Sequence, residues 1–243
     1  MNLDGYGIYA INFTIAALML LFTSYLDLKK REVEDKVWLI FGGIGVALQV
    51  YEVATGDTVL FQLLIGVGLG ALVGMGLYFF GFYGGADGKA LLVLGILVPH
   101  FVPHVGIYPV APLMILTNGV LCSIFLPIGL LIYNSSQVLR KRPIFEGFNE
   151  PLHRKILAAV LGYKQTGKPR EFQFSMEKET SDAAAPRKFD FSLMRDDFET
   201  KSGTWVTPGI PLLVFFTAGY FLLLSYGDLV IGLVQFFSKL LGF

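Results

Sequence analysis

The 243-residue chain holds a single cysteine, Cys122, and it lies inside an apolar run. One thiol closes no internal disulfide and builds no CxxC-paired zinc site, so Cys122 reads as a small buried hydrophobe. Charge is scarce as well, with Asp, Glu, Lys and Arg at 16% of the chain against roughly 25% in soluble domains. The formal net charge of +0 supplies no general attraction for nucleic acid, and none is expected as a partner. No Lys or Arg precedes the first apolar run and no small-residue cleavage site closes it, so that run is expected to be a retained span. What is abundant is apolar: 54% hydrophobic residues, 22 Phe and 28 Gly, with a mean hydropathy of +0.61. Phenylalanine facing lipid and glycine at close helix crossings fit a polytopic membrane protein. Membrane lipid is therefore an expected partner.

An apolar run of about 20 residues crosses the roughly 30 Å hydrocarbon core as a helix. The sequence predicts six spans, over 8–26, 37–53, 58–80, a short 89–102, 110–133 and 210–226. The apolar segment 229–243 is too short to return across the bilayer and is expected to continue the last helix or lie at the interface. Lys29, Lys30, Arg31, Lys36, Lys89 and thirteen further basic residues between Asn134 and Pro208 fall in the first, third and fifth loops. Alternating spans put these loops on one side, which the positive-inside rule makes cytoplasmic. The N-terminus is then outside, and the chain is an integral protein of the cytoplasmic membrane. The third span places Gly66, Gly70 and Gly74 four residues apart, a face for close helix packing.

The fold class expected is all-α polytopic, with six transmembrane helices and a small α+β cytoplasmic domain between helices 5 and 6. Residues 1–133 form the membrane domain, 134–207 the accessory domain, and 208–243 the sixth helix and tail. Within the accessory domain, Asn149 and Pro151 before Leu152–Leu161 and Gly162 after it are helix start and stop signals. Alternation of Phe172, Phe174 and Met176, and of Phe189, Phe191 and Leu193, predicts two strands over Glu171–Glu177 and Lys188–Met194.

Two carboxylates stand out against this background. Asp27 closes the first span, in Ser24-Tyr25-Leu26-Asp27-Leu28-Lys29-Lys30-Arg31-Glu32-Val33-Glu34-Asp35-Lys36, and Asp87 sits in the turn Gly84-Gly85-Ala86-Asp87-Gly88-Lys89. An ionisable group at the hydrocarbon boundary carries a desolvation cost of a few kcal/mol unless paired, hydrated or protonated. The topology brings both aspartates to the cytoplasmic face. Two carboxylates sharing a site split their titrations, leaving one ionised and one protonated. The ionised one activates water and the other polarises or protonates a scissile amide. Gly84, Gly85 and Gly88 are expected to let a substrate backbone approach and to permit positive φ. The bland alternative is that Asp27 caps a helix or pairs with Lys30 or Arg31, and that Asp87 caps the fourth helix.

Asp27 with Lys30 or Arg31, Val33 and Asp35, together with Gly84-Gly85-Ala86-Asp87 before Lys89, resembles the type IV prepilin peptidase family of membrane aspartic proteases, most closely its archaeal preflagellin peptidase branch. The resemblance covers the six-helix core. It implies that Asp27 and Asp87 are catalytic, the second within a GxGD-type motif, and that Gly84, Gly85, Ala86, Gly88 and Lys89 form the active-site loop. Ala86 departs from the glycine of the strict motif, and the archaeal branch resembles this chain in accepting a small residue there. Pro208-Gly209-Ile210-Pro211 looks like the family's proline-containing lead-in to the last span. The resemblance implies removal of a short basic leader from an archaellin or type IV pilin-like precursor at the cytoplasmic boundary. Methyl transfer is not expected, since the cysteine-rich domain of bacterial members cannot be built from Cys122.

Glu32, Glu34 and Asp35 are candidates for receiving the basic leader, although exposed charges paired with Lys29, Lys30, Lys36 and Arg31 are the more ordinary explanation. His100 and His104 are spaced i, i+4, but Pro103 intervenes, and neither a metal site nor a cofactor is expected. The competing function is a small secondary transporter using Asp27 and Asp87 as proton or cation sites. Against it stand the lack of an inverted repeat and the placement of both aspartates at the membrane edge. A presenilin-like protease shares the chemistry, but no Pro-Ala-Leu motif precedes the last helices.

Overall fold

The computed structural model of the chain describes residues 3–79, 85–101, 110–167, 172–178, 186–191 and 202–242. In chain order the elements are α1 (Leu3–Lys30), α2 (Asp35–Thr55), α3 (Leu60–Phe79), α4 (Gly85–Leu97), α5 (Ala111–Ser123), α6 (Phe125–Leu139), α7 (Leu152–Leu161), β1 (Tyr163–Lys164), β2 (Gln173–Ser175), β3 (Trp205–Pro208), α8 (Leu212–Tyr226) and α9 (Leu229–Leu241). They form two compact units, residues 1–122 with 211–243, and residues 123–210.

Helices are the only secondary-structure elements among the first unit's described residues, and they are apolar around most of their circumference. On α2, for example, Trp38 and Gly45 face inward while Leu39, Ile40 and Val50 are exposed. A helix apolar on all sides is stable only where its outward face meets hydrocarbon. Ile8–Lys30, Asp35–Thr55 and Ala111–Leu139 are long and apolar enough to cross a membrane, and α8 with α9 passes as a fourth candidate although the two are bent by 56°. The chain is thus a membrane protein. Leu60–Gly76 is a shorter apolar helix, and α4 has only 13 residues.

Two helix ends differ from the sequence expectation at positions that matter. The first helix continues past Leu26 to Lys30, so Asp27 sits in its last turns. The fourth begins at Gly85 rather than Lys89, which puts Asp87 inside its first turn and not in a turn before it. An acidic residue there is favoured by the unpaired N–H groups and positive end of the helix dipole. The core of the unit lies where α1, α2, α4, α5 and α8 converge, around Met19, Leu20, Leu91, Leu94, Ile115, Phe216 and Tyr220.

The glycine face of α3 packs on α4 as its spacing predicts. A Cβ at Gly70 would lie 2.6 Å from the Leu91 carbonyl oxygen, and one at Gly74 would lie 2.7 Å from that of Gly88. These are backbone-on-backbone contacts that only glycine permits. At the opposite end of α1 and α2 a buried polar cluster joins the two helices. Asn12 Nδ2 donates to Glu52 Oε1 and Thr58 Oγ1 donates to Glu52 Oε2, each at 2.6 Å.

In the second unit, α7 has the bounds its start and stop signals predict. Asn134 of α6 donates its amide hydrogens to the carbonyls of Ala159 and Gly162 at 2.8 and 2.7 Å, satisfying acceptors at the α7 C-terminus that have no helical partner. The sheet is antiparallel in the order β1-β3-β2. Of the two expected strands, the first appears as β2, shortened to Gln173–Ser175. The described part of the second makes only an isolated bridge, Phe189 to Glu177. The central strand is instead β3, whose Trp205 is fully buried among Ile144, Phe148, Ala158, Met176 and Phe189. Its ring stacks on Phe145 at 5.0 Å and its Nε1 donates to the Ile144 carbonyl at 2.9 Å.

Candidate active site

Asp27 reaches its place because α1 carries it along the face that packs on α8. Ser24, one turn earlier, donates to the Leu213 carbonyl at 2.9 Å, and its oxygen lies 2.7 Å from Thr217 Oγ1. The Leu213 N–H, at the second residue of α8, faces the Asp27 carboxylate. A helix N-terminus is a ready acceptor site for an anion, since its first N–H groups lack carbonyl partners. Arg31 Nη1 stands 3.9 Å from Asp27 Oδ1, one turn on. Asp27 is therefore half-buried, set at one helix N-terminus and flanked by one guanidinium. The pairing with Arg31 that the bland reading assigned to Asp27 is present, and it leaves the carboxylate at a helix junction.

After α1 the chain turns sharply. Arg31 has φ 56°, and its N–H bonds to the Asp27 carbonyl at 3.0 Å. Val33 is buried in the core, while Glu32, Glu34 and Asp35 are exposed. The acidic trio thus divides, because Asp35 Oδ1 accepts Lys89 Nζ at 2.5 Å and Glu32 and Glu34 face outward.

Asp87 is half-buried in the first turn of α4, preceded by Ala86, which packs against the same core cluster as Leu26, the neighbour of Asp27. Helices α1 and α4 pack on each other. Gly85 and Gly88 are helical, and the positive φ expected of them is absent. Gly88 serves another purpose: a Cβ there would come within 2.8 Å of the Gly74 carbonyl oxygen on α3. Its lack of a side chain seats the first turn of α4 against α3. Gly84 lies outside the described residues, as does His104. His100 follows α4, where its carbonyl accepts the Tyr9 hydroxyl at 3.1 Å.

The sequence profile of the type IV leader peptidase family matches residues 14–128, a stretch that contains the later part of α1, all of α4 and both aspartates. Three curated proteins match nearly end to end. A preflagellin peptidase of Methanococcus maripaludis is 26% identical over 91% of this chain and 97% of its own length. One of Methanocaldococcus jannaschii is 28% identical over 92% and 97%, and one of Methanococcus voltae is 28% identical over 92% and 98%. Over residues 14–128 the chain is similar to the type IV leader peptidase family, and along nearly its whole length to the three preflagellin peptidases. The likeness indicates a peptidase, and the family's profile ends before the second unit is complete. The part of α8 that faces Asp27 also lies beyond the profile. Ser24, Leu213 and Thr217 were not singled out by sequence reading. The one signal for Ser24 is its position a single turn before Asp27, and for Leu213 it is the prolines at 208 and 211 that start α8 beside it.

Proposed function

We propose that the protein is an aspartic endopeptidase that removes a short basic leader from preflagellin or a type IV pilin-like precursor at the cytoplasmic boundary of the membrane, with Asp27 and Asp87 as its catalytic pair. The observation that carries this reading is the convergence of α1 and α4, with Leu26 and Ala86 on one core cluster and the adjoining aspartates both half-buried. The substrate class follows from the curated relatives, which are named preflagellin peptidases and match along almost their whole length.

The chemistry divides between the two carboxyls. One, ionised, takes a proton from water as the water oxygen adds to the scissile carbonyl carbon. The other, protonated, hydrogen-bonds the carbonyl oxygen and gives up its proton as the tetrahedral centre forms. Transfer of the proton held by the first carboxyl to the leaving nitrogen then breaks the C–N bond. A turn of α4 set tightly on α3 by Gly88 and Gly74 keeps Asp87 from drifting, as a reacting group must be held within a fraction of an ångström.

Six spans with the N-terminus outside put both aspartates on the side rich in Lys and Arg, and the 134–207 domain there as an accessory. Glu32 and Glu34 remain exposed beside Asp27 and are the acids open to a basic leader. The test is incubation of the purified protein in liposomes with a preflagellin precursor, with the cut located by mass spectrometry. A single cut between the basic leader and the hydrophobic helix supports the proposal. Ion-dependent solute flux from a preparation that cuts no precursor would replace it with the transporter reading.

A further inference from the structure

Asp27 depends on a contact with α8, and that contact has its own support. Two hydroxyls stand at the α1–α8 junction, both buried. Ser24 Oγ lies 2.9 Å from the Leu213 carbonyl oxygen and 2.7 Å from Thr217 Oγ1. Thr217 Oγ1 lies 2.9 Å from the same Leu213 oxygen and 3.1 Å from the Leu20 carbonyl oxygen on α1. Two hydroxyl protons serve these contacts, so one hydroxyl donates to the other and the second donates onward to a carbonyl. Whichever order holds, α1 and α8 are bonded across their interface within one turn of Asp27. Leu213 is the residue on which the contacts close: its carbonyl oxygen lies within reach of both hydroxyls and its N–H faces the Asp27 carboxylate.

We infer that Ser24 and Thr217 are positioning residues, a hydroxyl clamp that fixes Leu213 so that the N-terminus of α8 holds the Asp27 carboxylate in its reacting orientation. The inference rests on the proposal that Asp27 is catalytic. Helix association alone does not require this arrangement, because the same interface is already packed by Leu20, Leu213, Phe216 and Tyr220, and Tyr220 Oη bonds the Phe13 carbonyl at 2.6 Å farther along. Nor does helix capping require it, since an N-terminal N–H can donate to any nearby oxygen. The clamp adds a fixed azimuth for one N–H, and misplacement of a reacting group by about 1 Å costs on the order of a hundredfold in rate.

The test uses the full-length protein in liposomes, with kcat and KM measured separately on one precursor. The Ser24→Ala/Thr217→Val double variant removes both hydroxyls and keeps side-chain bulk at each position. It is expected to lower kcat about tenfold or more with KM unchanged, and Thr217→Ser is expected to retain the wild-type kcat. Should the double variant fail to fold, each single variant is measured, with a fall in kcat of about threefold expected from each. A folded double variant, or both single variants, with wild-type kcat would overturn the clamp. Asp27→Asn in the same assay separates the two claims. Loss of cleavage there with full kcat in the hydroxyl variants removes the clamp alone, whereas full cleavage by Asp27→Asn removes the catalytic reading beneath it.

Discussion

Lys89 and Asp35 are ion-paired at 2.5 Å, joining the opening turns of α4 and α2 next to the candidate site. The pair spans the two segments that carry the family resemblance, so it is a natural candidate for a structural brace. Its side chains are 45% and 75% exposed, however. Pairs open to water gain little, about 0.2–1 kcal/mol, because the dielectric is high and two long side chains must be immobilised. A double-mutant cycle of Lys89→Met and Asp35→Asn, read by thermal unfolding, is expected to give a coupling below about 1 kcal/mol that shrinks as salt rises.

The glycine face of α3 predicts a sharper contrast. Gly74→Ala and Gly88→Ala each drive a methyl group into an opposing backbone carbonyl, at 2.7 and 2.8 Å. Backbone cannot rotate away as a side chain can, so the helices must part, at a cost of about 1–3 kcal/mol. Gly68→Ala and Gly76→Ala meet nothing within 4 Å and are expected to be neutral or slightly stabilising, since alanine is the better helix former. Thermal unfolding of the four variants in one detergent distinguishes them. The Gly88 variant is also expected to lose processing, because it displaces the turn that carries Asp87.

Glu52 offers a test of chemistry at the other end of the bundle. It is 1% exposed, and its two oxygens accept from Asn12 and Thr58. Glu52→Gln can keep both contacts, its carbonyl taking the Asn12 amide and its own amide donating to the Thr58 oxygen. Glu52→Ala leaves Asn12 Nδ2 buried without that acceptor, which costs about 1–3 kcal/mol. The expected order of melting temperature is therefore wild type close to the Gln variant, with the Ala variant well below both.

Trp205 anchors the second unit. Its replacement by alanine empties a fully buried site among Phe145, Phe148 and Phe189 and orphans the Ile144 carbonyl. Large-to-small changes of this kind cost about 3–5 kcal/mol, and the variant is expected to expose 123–210 to limited proteolysis under conditions where the wild-type chain resists it.

Parts of this structure were legible because they follow from local spacing. Gly66, Gly70 and Gly74 fall on one helical face by arithmetic alone, and their contacts with α4 follow. The helix Leu152–Leu161 is bounded by its own Pro151 and Gly162. The start of α4 was misplaced because Gly84-Gly85-Ala86 has turn composition, while the helix gains an acidic residue in its first turn by starting at Gly85. β3 was hidden since Trp-Val-Thr-Pro is short and ends on proline, and its partners β1 and β2 lie far back in the chain. The bond between Ser24 and Leu213 was invisible for the same reason. Nothing in either local sequence says that the first and eighth helices meet there.

The most direct measurement is the single-turnover rate of precursor cleavage by Asp27→Asn and Asp87→Asn, each purified and shown by circular dichroism to be as helical as the wild type. Asparagine preserves size and hydrogen bonding but can neither take a proton from water nor give one to the amide. Each variant is expected to fall by at least about a thousandfold, the scale of removing one member of a catalytic unit. A folded variant of either residue that cleaves at the wild-type rate would contradict the pairing of Asp27 with Asp87.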